Sequence, residues 1–117
     1  WMMKAVIQNA RIMRIDKIFK KHKPQGLGFS DNDVIILNLK TSDGTKFNQN
    51  FYCRIKGDGT LGHSITKASE RRQKELQIFI KRYISKEENY NIRNNIDTWK
   101  GKEVEAEAIN GGFIIKI

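Results

Sequence analysis

Residues 56–64 read KGDGTLGHS, with Gly57, Gly59 and Gly62 in the spacing G-x-G-x-x-G. Glycines so spaced let a backbone approach a pyrophosphate at the start of a helix, the chemistry of a dinucleotide-binding turn. That chemistry needs strand, turn, helix and a second parallel strand within about 30 residues. Here a polar segment and a hairpin follow the helical pattern, so nothing builds the crevice for the other half of the cofactor. Gly62 precedes His63 and Ser64 rather than a Lys-Ser/Thr pair, which excludes a P-loop as well. The glycines are expected to be a joint between sheet and helix, and a flexible rim of a groove, where positive φ and close backbone approach come at little steric cost.

Just upstream, Tyr52, Arg54 and Lys56 alternate with apolar positions and share a face with Asn48 and Asn50. An aromatic ring, a guanidinium and an amine on one strand face have the chemistry of a binding surface. A magnesium-dependent nuclease would need clustered carboxylates to hold its metal. Asp31, Asp33, Asp43 and Asp58 all occupy ordinary turn positions, and Glu103, Glu105 and Glu107 read as one solvated strand face. His63 beside Ser64 is adjacency, not a triad. Cys53 is the single cysteine, so an internal disulfide and a four-cysteine zinc site are excluded. No catalytic residue, metal or cofactor is expected. Cys53 lies in phase with apolar neighbours and is expected to be buried in a reducing, intracellular protein.

The elements that would position these residues follow from periodicity. A first strand spans about Lys4 to Ile15, or as far as Phe19, with apolar residues on both phases, as in a long bent strand that changes the face it buries. KKHKPQGLGFSDND, residues 20–33, reads as a long loop. Asp33–Thr41 is a second strand, Asp43-Gly44 a hairpin turn, and Lys46–Lys56 a third strand with Phe47, Phe51, Cys53 and Ile55 inward. Leu76, Phe79, Ile80, Tyr83 and Ile84 recur at helical intervals within about Thr66–Ile84, with Ser64 or Thr66 as N-cap. Residues 86–95 read as a connection, after which Ile96 and Trp99 pack a turn. Lys102–Ile109 and Phe113–Ile117 form a last hairpin through Asn110-Gly111-Gly112.

With 117 residues, the chain fits one domain, 1–117. Its 38% hydrophobic and 30% charged content suits a folded domain rather than a disordered one. No apolar run reaches the roughly 20 residues needed to cross a bilayer, and no membrane partner is expected. WMMKAVIQNARIM has no charged region followed by a long apolar one, so it does not read as a secretion signal; Trp1 ahead of Met2 reads as an appended residue. The net charge is +9. Residues 1–56 carry 11 Lys and Arg against 4 Asp and Glu, and residues 57–117 carry 11 against 9. A polyanion is the natural partner of such a surface, through attraction and counterion release.

Three strands, a helix and a hairpin, ending in WKGKEVEAEAINGGFIIKI, resemble the OB-fold single-stranded DNA-binding proteins of small viral, archaeal and bacterial type. The resemblance spans almost the whole chain and rests on element order and patterning. It implies a mainly β fold, a five-stranded OB-like barrel with one α-helix between strands three and four. It also implies a groove across strands two and three, flanked by the loops joining strands one to two and four to five. Tyr52 would then stack a base, worth about 1–3 kcal/mol, while Arg54 and Lys56 meet phosphates. Lys40, Lys46, Asn48 and Asn50 extend the polar surface. Lys20, Lys21, Lys23 and Phe29 lie in the first loop, and Asn110, Gly111 and Gly112 in the other. Bacterial relatives of this kind end in an acidic tail that recruits partners; this sequence ends FIIKI, so recruitment by a tail is not expected.

The expected function is non-catalytic binding of single-stranded nucleic acid, DNA favoured over RNA, with a role in DNA replication or repair and homo-oligomer formation left open. The alternative is a protein-interaction module on a small barrel, using a helix that carries the basic pairs Arg71-Arg72 and Lys81-Arg82. A nuclease is the third choice.

Overall fold

The computed structural model describes residues 2–15, 32–62 and 67–117. Strands β1 (Met2–Arg14), β2 (Asp33–Thr41), β3 (Lys46–Cys53), β4 (Glu103–Ile109) and β5 (Gly112–Ile115) form one antiparallel sheet in the order β3-β2-β1-β4-β5. Between β3 and β4 run helix α1 (Lys67–Phe79), a π-helical turn (Ile80–Ile84), the short helix α2 (Ile92–Asn95) and a 3₁₀ turn (Ile96–Trp99). This is the mainly β, OB-like barrel expected, with more helix after strand three than the single helix anticipated.

β1 is long because it serves two neighbours. Met2–Val6 pairs with β4, and Ala5–Arg14 pairs with β2. Between Ile7 and Asn9 the register with β2 shifts, a bulge that bends the strand. Ala5 and Ile7 point into the core before it, Ala10 after it. The inward phase thus changes at the bulge, from Ala5 and Ile7 to Ala10, while Val6 and Met13 stay on the outer face.

The sheet curls until its end strands, β3 and β5, face each other across a seam bridged by side chains. Gln49 Oε1 accepts a hydrogen bond from the Ile115 amide at 2.7 Å, and the rings of Phe47 and Phe113 stand 5.9 Å apart. The result is a nearly closed barrel. Inside it, Ile7, Leu37, Leu39, Phe51, Val104 and Ala106 are buried. Both hairpins turn on glycine with positive φ, Gly44 at 92° and Gly111 at 84°, a conformation other residues adopt only at a cost.

α1 closes one end of the barrel. Leu76 and Phe79 are fully buried, and Tyr83 and Ile84 pack half-buried behind them, the stripe that periodicity indicates. Phe79 is the hub: its ring lies 4.9 Å from Phe51, 5.6 Å from Tyr83 and 5.7 Å from Trp99, centroid to centroid. Trp99 is buried as expected, and its indole N–H donates to the Tyr90 hydroxyl at 3.0 Å, which supplies the partner a buried indole requires. The π-helical turn is held by Ser85 N donating to Ile80 O at 2.8 Å. From that turn Tyr83 donates to the Lys116 carbonyl at 2.6 Å, tying the helix to the residue that follows β5. Cys53 is buried among these apolar groups. Ser64 and Thr66, the anticipated caps, lie outside the described residues.

Candidate functional site

Residues directly opposite in an antiparallel pair share a face, so the register shows which side chains meet. On the outer face of β1, β2 and β3, four cross-strand rows stack along the strands. They are Val6-Lys40-Lys46, Asn9-Asn38-Asn48, Arg11-Ile36-Asn50 and Met13-Val34-Tyr52. At about 3.4 Å per residue, β3 carries this face for roughly 20 Å from Lys46 to Tyr52. Among the described residues these rows carry Arg11, Lys40 and Lys46 with a lining of asparagines, and the first row continues through Val6 to exposed Glu103 of β4.

Several residues anticipated from sequence are therefore brought together. Lys40 and Lys46 stand opposite each other beside the β2–β3 turn, both exposed. Asn50 is exposed opposite half-buried Ile36, and Tyr52 is half-buried opposite buried Val34. Arg54 and Lys56 follow β3 and are exposed. Strand three ends at Cys53 rather than Lys56; beyond it the chain doubles back, with Ile55 bridging Leu61 and Gly62 N donating to Arg54 O at 2.7 Å. Buried Asp33 assists this departure, its Oδ2 accepting from the Ile55 amide at 3.2 Å. Lys20, Lys21, Lys23 and Phe29 lie outside the described residues. Arg11 is the residue that sequence reasoning missed. Only the bulge moves positions 9, 11 and 13 of β1 onto the outer face beside Asn50 and Tyr52.

The three glycines now separate by role. Gly57 has open space around the position of a Cβ. Gly59 has φ +90°, and a Cβ there would collide with the Asn91 side chain. Its carbonyl accepts from the Ile92 amide at 2.9 Å, and Asn91 Nδ2 donates to Asp58 O at 2.8 Å. Asn91 Oδ1 in turn caps α2 by accepting from Asn94 N at 2.9 Å. The loop expected to be a flexible rim is thus pinned to α2. At Gly62 a Cβ would stand 3.2 Å from Arg54 Cγ and Cδ, so the Arg54 side chain lies along the glycine backbone. Sheet-to-helix geometry and Arg54 placement account for Gly59 and Gly62.

Electrostatics divide the surface. Asp58 accepts from Thr60 Oγ1 at 2.7 Å and Thr60 N at 2.9 Å; these bonds, with Lys56 nearby, hold its carboxyl below the usual value. Lys56 Nζ is 3.9 Å from Asp58 in an exposed, solvent-screened and therefore weak pair. The acidic counterpart is on β4, where Glu103 and Glu105 meet Lys4 at 3.9 Å and Arg82 at 3.7 Å. Among the described residues, no three His, Cys, Asp or Glu side chains gather as a metal site, and no helix is long and apolar enough to cross a membrane.

Comparison with protein-family models, with curated proteins and with solved structures finds no match to this chain.

Proposed function

We propose that this domain binds single-stranded nucleic acid, DNA favoured, without catalysis, across the outer face of β1, β2 and β3. One observation carries this reading: the register aligns Arg11, Lys40 and Lys46 with asparagines and Tyr52 on the outer face of β1, β2 and β3, with Glu103 of β4 entering only at its edge, opposite Val6. Arg54 and Lys56 continue the cationic track from the end of β3. The cations attract the backbone and release its counterions. Tyr52 supplies a flat surface for a base, and stacking of this kind tolerates any sequence because every base has a π-face. The asparagines donate to and accept from whichever base edges lie above them.

A protein-binding surface is the second reading, favoured by exposed Met2, Ile109 and Ile114. Met2 and Ile114 flank Glu107 across the outer face of β1, β4 and β5. The two readings separate by salt. Titration of a fluorescent oligo-dT, an unstructured RNA and a duplex at low and moderate salt should show preference for the single strands and a steep loss with salt. Tyr52→Ala and Arg54→Ala should each weaken binding by about fivefold or more. Binding that ignores salt and both substitutions would remove the groove and leave protein docking as the account.

A further inference from the structure

Beyond Arg54 the polar track enters a cleft of about 400 Å³, formed where the glycine loop, the end of α1 and the segment before α2 meet. That volume falls at the low end of the roughly 300–1,000 Å³ typical of small-ligand sites. Leu61, Ile80 and Ile92 give it an apolar floor. Half-buried Tyr90 forms a wall, its ring fixed because its hydroxyl receives the Trp99 indole N–H at 3.0 Å. Lys56 and Lys81 line it as cations, Glu87 and Glu88 as carboxylates. Lys56 belongs to the cleft and to the track that leads from β3.

We infer that this cleft is a nucleobase subsite for the strand held by the β1–β2–β3 face, selecting bases with an exocyclic amino group over thymine or uracil. The inference rests on the single-strand reading. An apolar floor beside a fixed aromatic ring suits a planar base. Lys56 and Lys81 suit the phosphate attached to it. Glu87 and Glu88 repel phosphate, so the base edge is the part that turns toward them. A carboxylate accepts from the amino group of cytosine, adenine or guanine, whereas thymine and uracil turn carbonyl oxygens toward the same lone pairs and offer only their ring N–H. Gln77, exposed on α1, lines the same cleft and gives steric control over it.

The test uses the full chain and a fluorescent oligo-dT in which one thymine at a time is replaced by dC, dA or dG. At one position in the bound register, replacement should tighten binding by about fivefold or more. Glu87→Gln/Glu88→Gln should reduce that ratio towards one, even though losing two negative charges strengthens binding of every oligonucleotide. Gln77→Trp, which fills the cleft from an exposed helix position, should abolish the ratio. Circular dichroism establishes that both variants are folded. Oligo-dT binding with no base preference at any position, or a preference that both variants retain, overturns the subsite and leaves the single-strand reading standing. Failure of every oligonucleotide to bind overturns both.

Discussion

Gly62 and Arg54 form a pair in which a missing side chain places a present one. The Arg54 side chain lies on the Gly62 backbone, so Gly62→Ala crowds Arg54 with 3.2 Å contacts to its Cγ, Cδ and carbonyl oxygen. The expected outcome is a folded protein with weakened oligonucleotide binding, resembling Arg54→Ala in an anisotropy titration. Gly59→Ala acts on the fold instead, since it combines positive φ with a collision at Asn91. Strained backbone alone costs about 1–3 kcal/mol, so urea denaturation should show a loss of at least that size. Gly57→Ala meets open space and should change stability by no more than about 0.5 kcal/mol. A dinucleotide turn would instead require the first glycine, so this ordering of the three also separates a joint from a cofactor site.

At the scale of elements, α1 is held by Phe79 more than by its own helical preference. The helix is short and highly charged, and Phe79 joins Phe51, Tyr83 and Trp99 in one aromatic group. Phe79→Ala is expected to cost about 3–5 kcal/mol, a large share of the roughly 5–15 kcal/mol that holds a domain together; chemical denaturation measures it. Two turns carry a pH dependence. Asp43 accepts from the Thr41 hydroxyl and from Thr45 N at 3.1 Å, and Asp58 from Thr60, so both carboxyls titrate below the usual 3.8. Lowered values mean that the stabilisation is present above pH 3.8 and is lost as pH falls from there through the lowered values. The amide resonances of Thr45 and Thr60 should therefore move together with those carboxyls below pH 3.8 and remain unchanged between neutral pH and about 5.

For the whole molecule, closure of the barrel and separation of charge matter most. Gln49 bridges the seam between β3 and β5; Gln49→Ala leaves the Ile115 amide without its acceptor. The expected cost is about 1–3 kcal/mol in chemical denaturation, with β5 the first strand to lose amide protection in hydrogen exchange. The same sheet sets Arg11, Lys40 and Lys46 on β1, β2 and β3 and Glu105 and Glu107 on β4, with Glu103 at the boundary in the row of Val6, Lys40 and Lys46. If those three cations, Arg54 and Lys56 each neutralise one phosphate, log affinity should fall against log salt with a slope of about −3.5. Lys40→Ala should make that slope shallower by about 0.7, whereas Tyr52→Ala should lower affinity and leave the slope unchanged.

Much of the architecture was legible because strand and helix periods are local. Alternation of Ile35, Leu37 and Leu39 marks β2, with bounds that agree with the structure, and the spacing of Leu76, Phe79 and Ile80 marks the buried stripe of α1. Asp43-Gly44 and Gly111-Gly112 announce the hairpins through positive φ, another local property. The outer-face chemistry of β3 was legible for the same reason, since two-residue alternation alone puts Asn50 and Tyr52 together. Arg11 was not legible, because a bulge inserts a residue and reverses the phase of everything after it. Nor was the Gln49 seam, which joins residues 66 positions apart through a side chain. The cleft beside Tyr90 likewise needs the glycine loop, α1 and α2 to converge. Local sequence determined the elements and the residues each presents; tertiary structure alone decided which faces adjoin, because register, curvature and closure depend on contacts between segments distant in the chain.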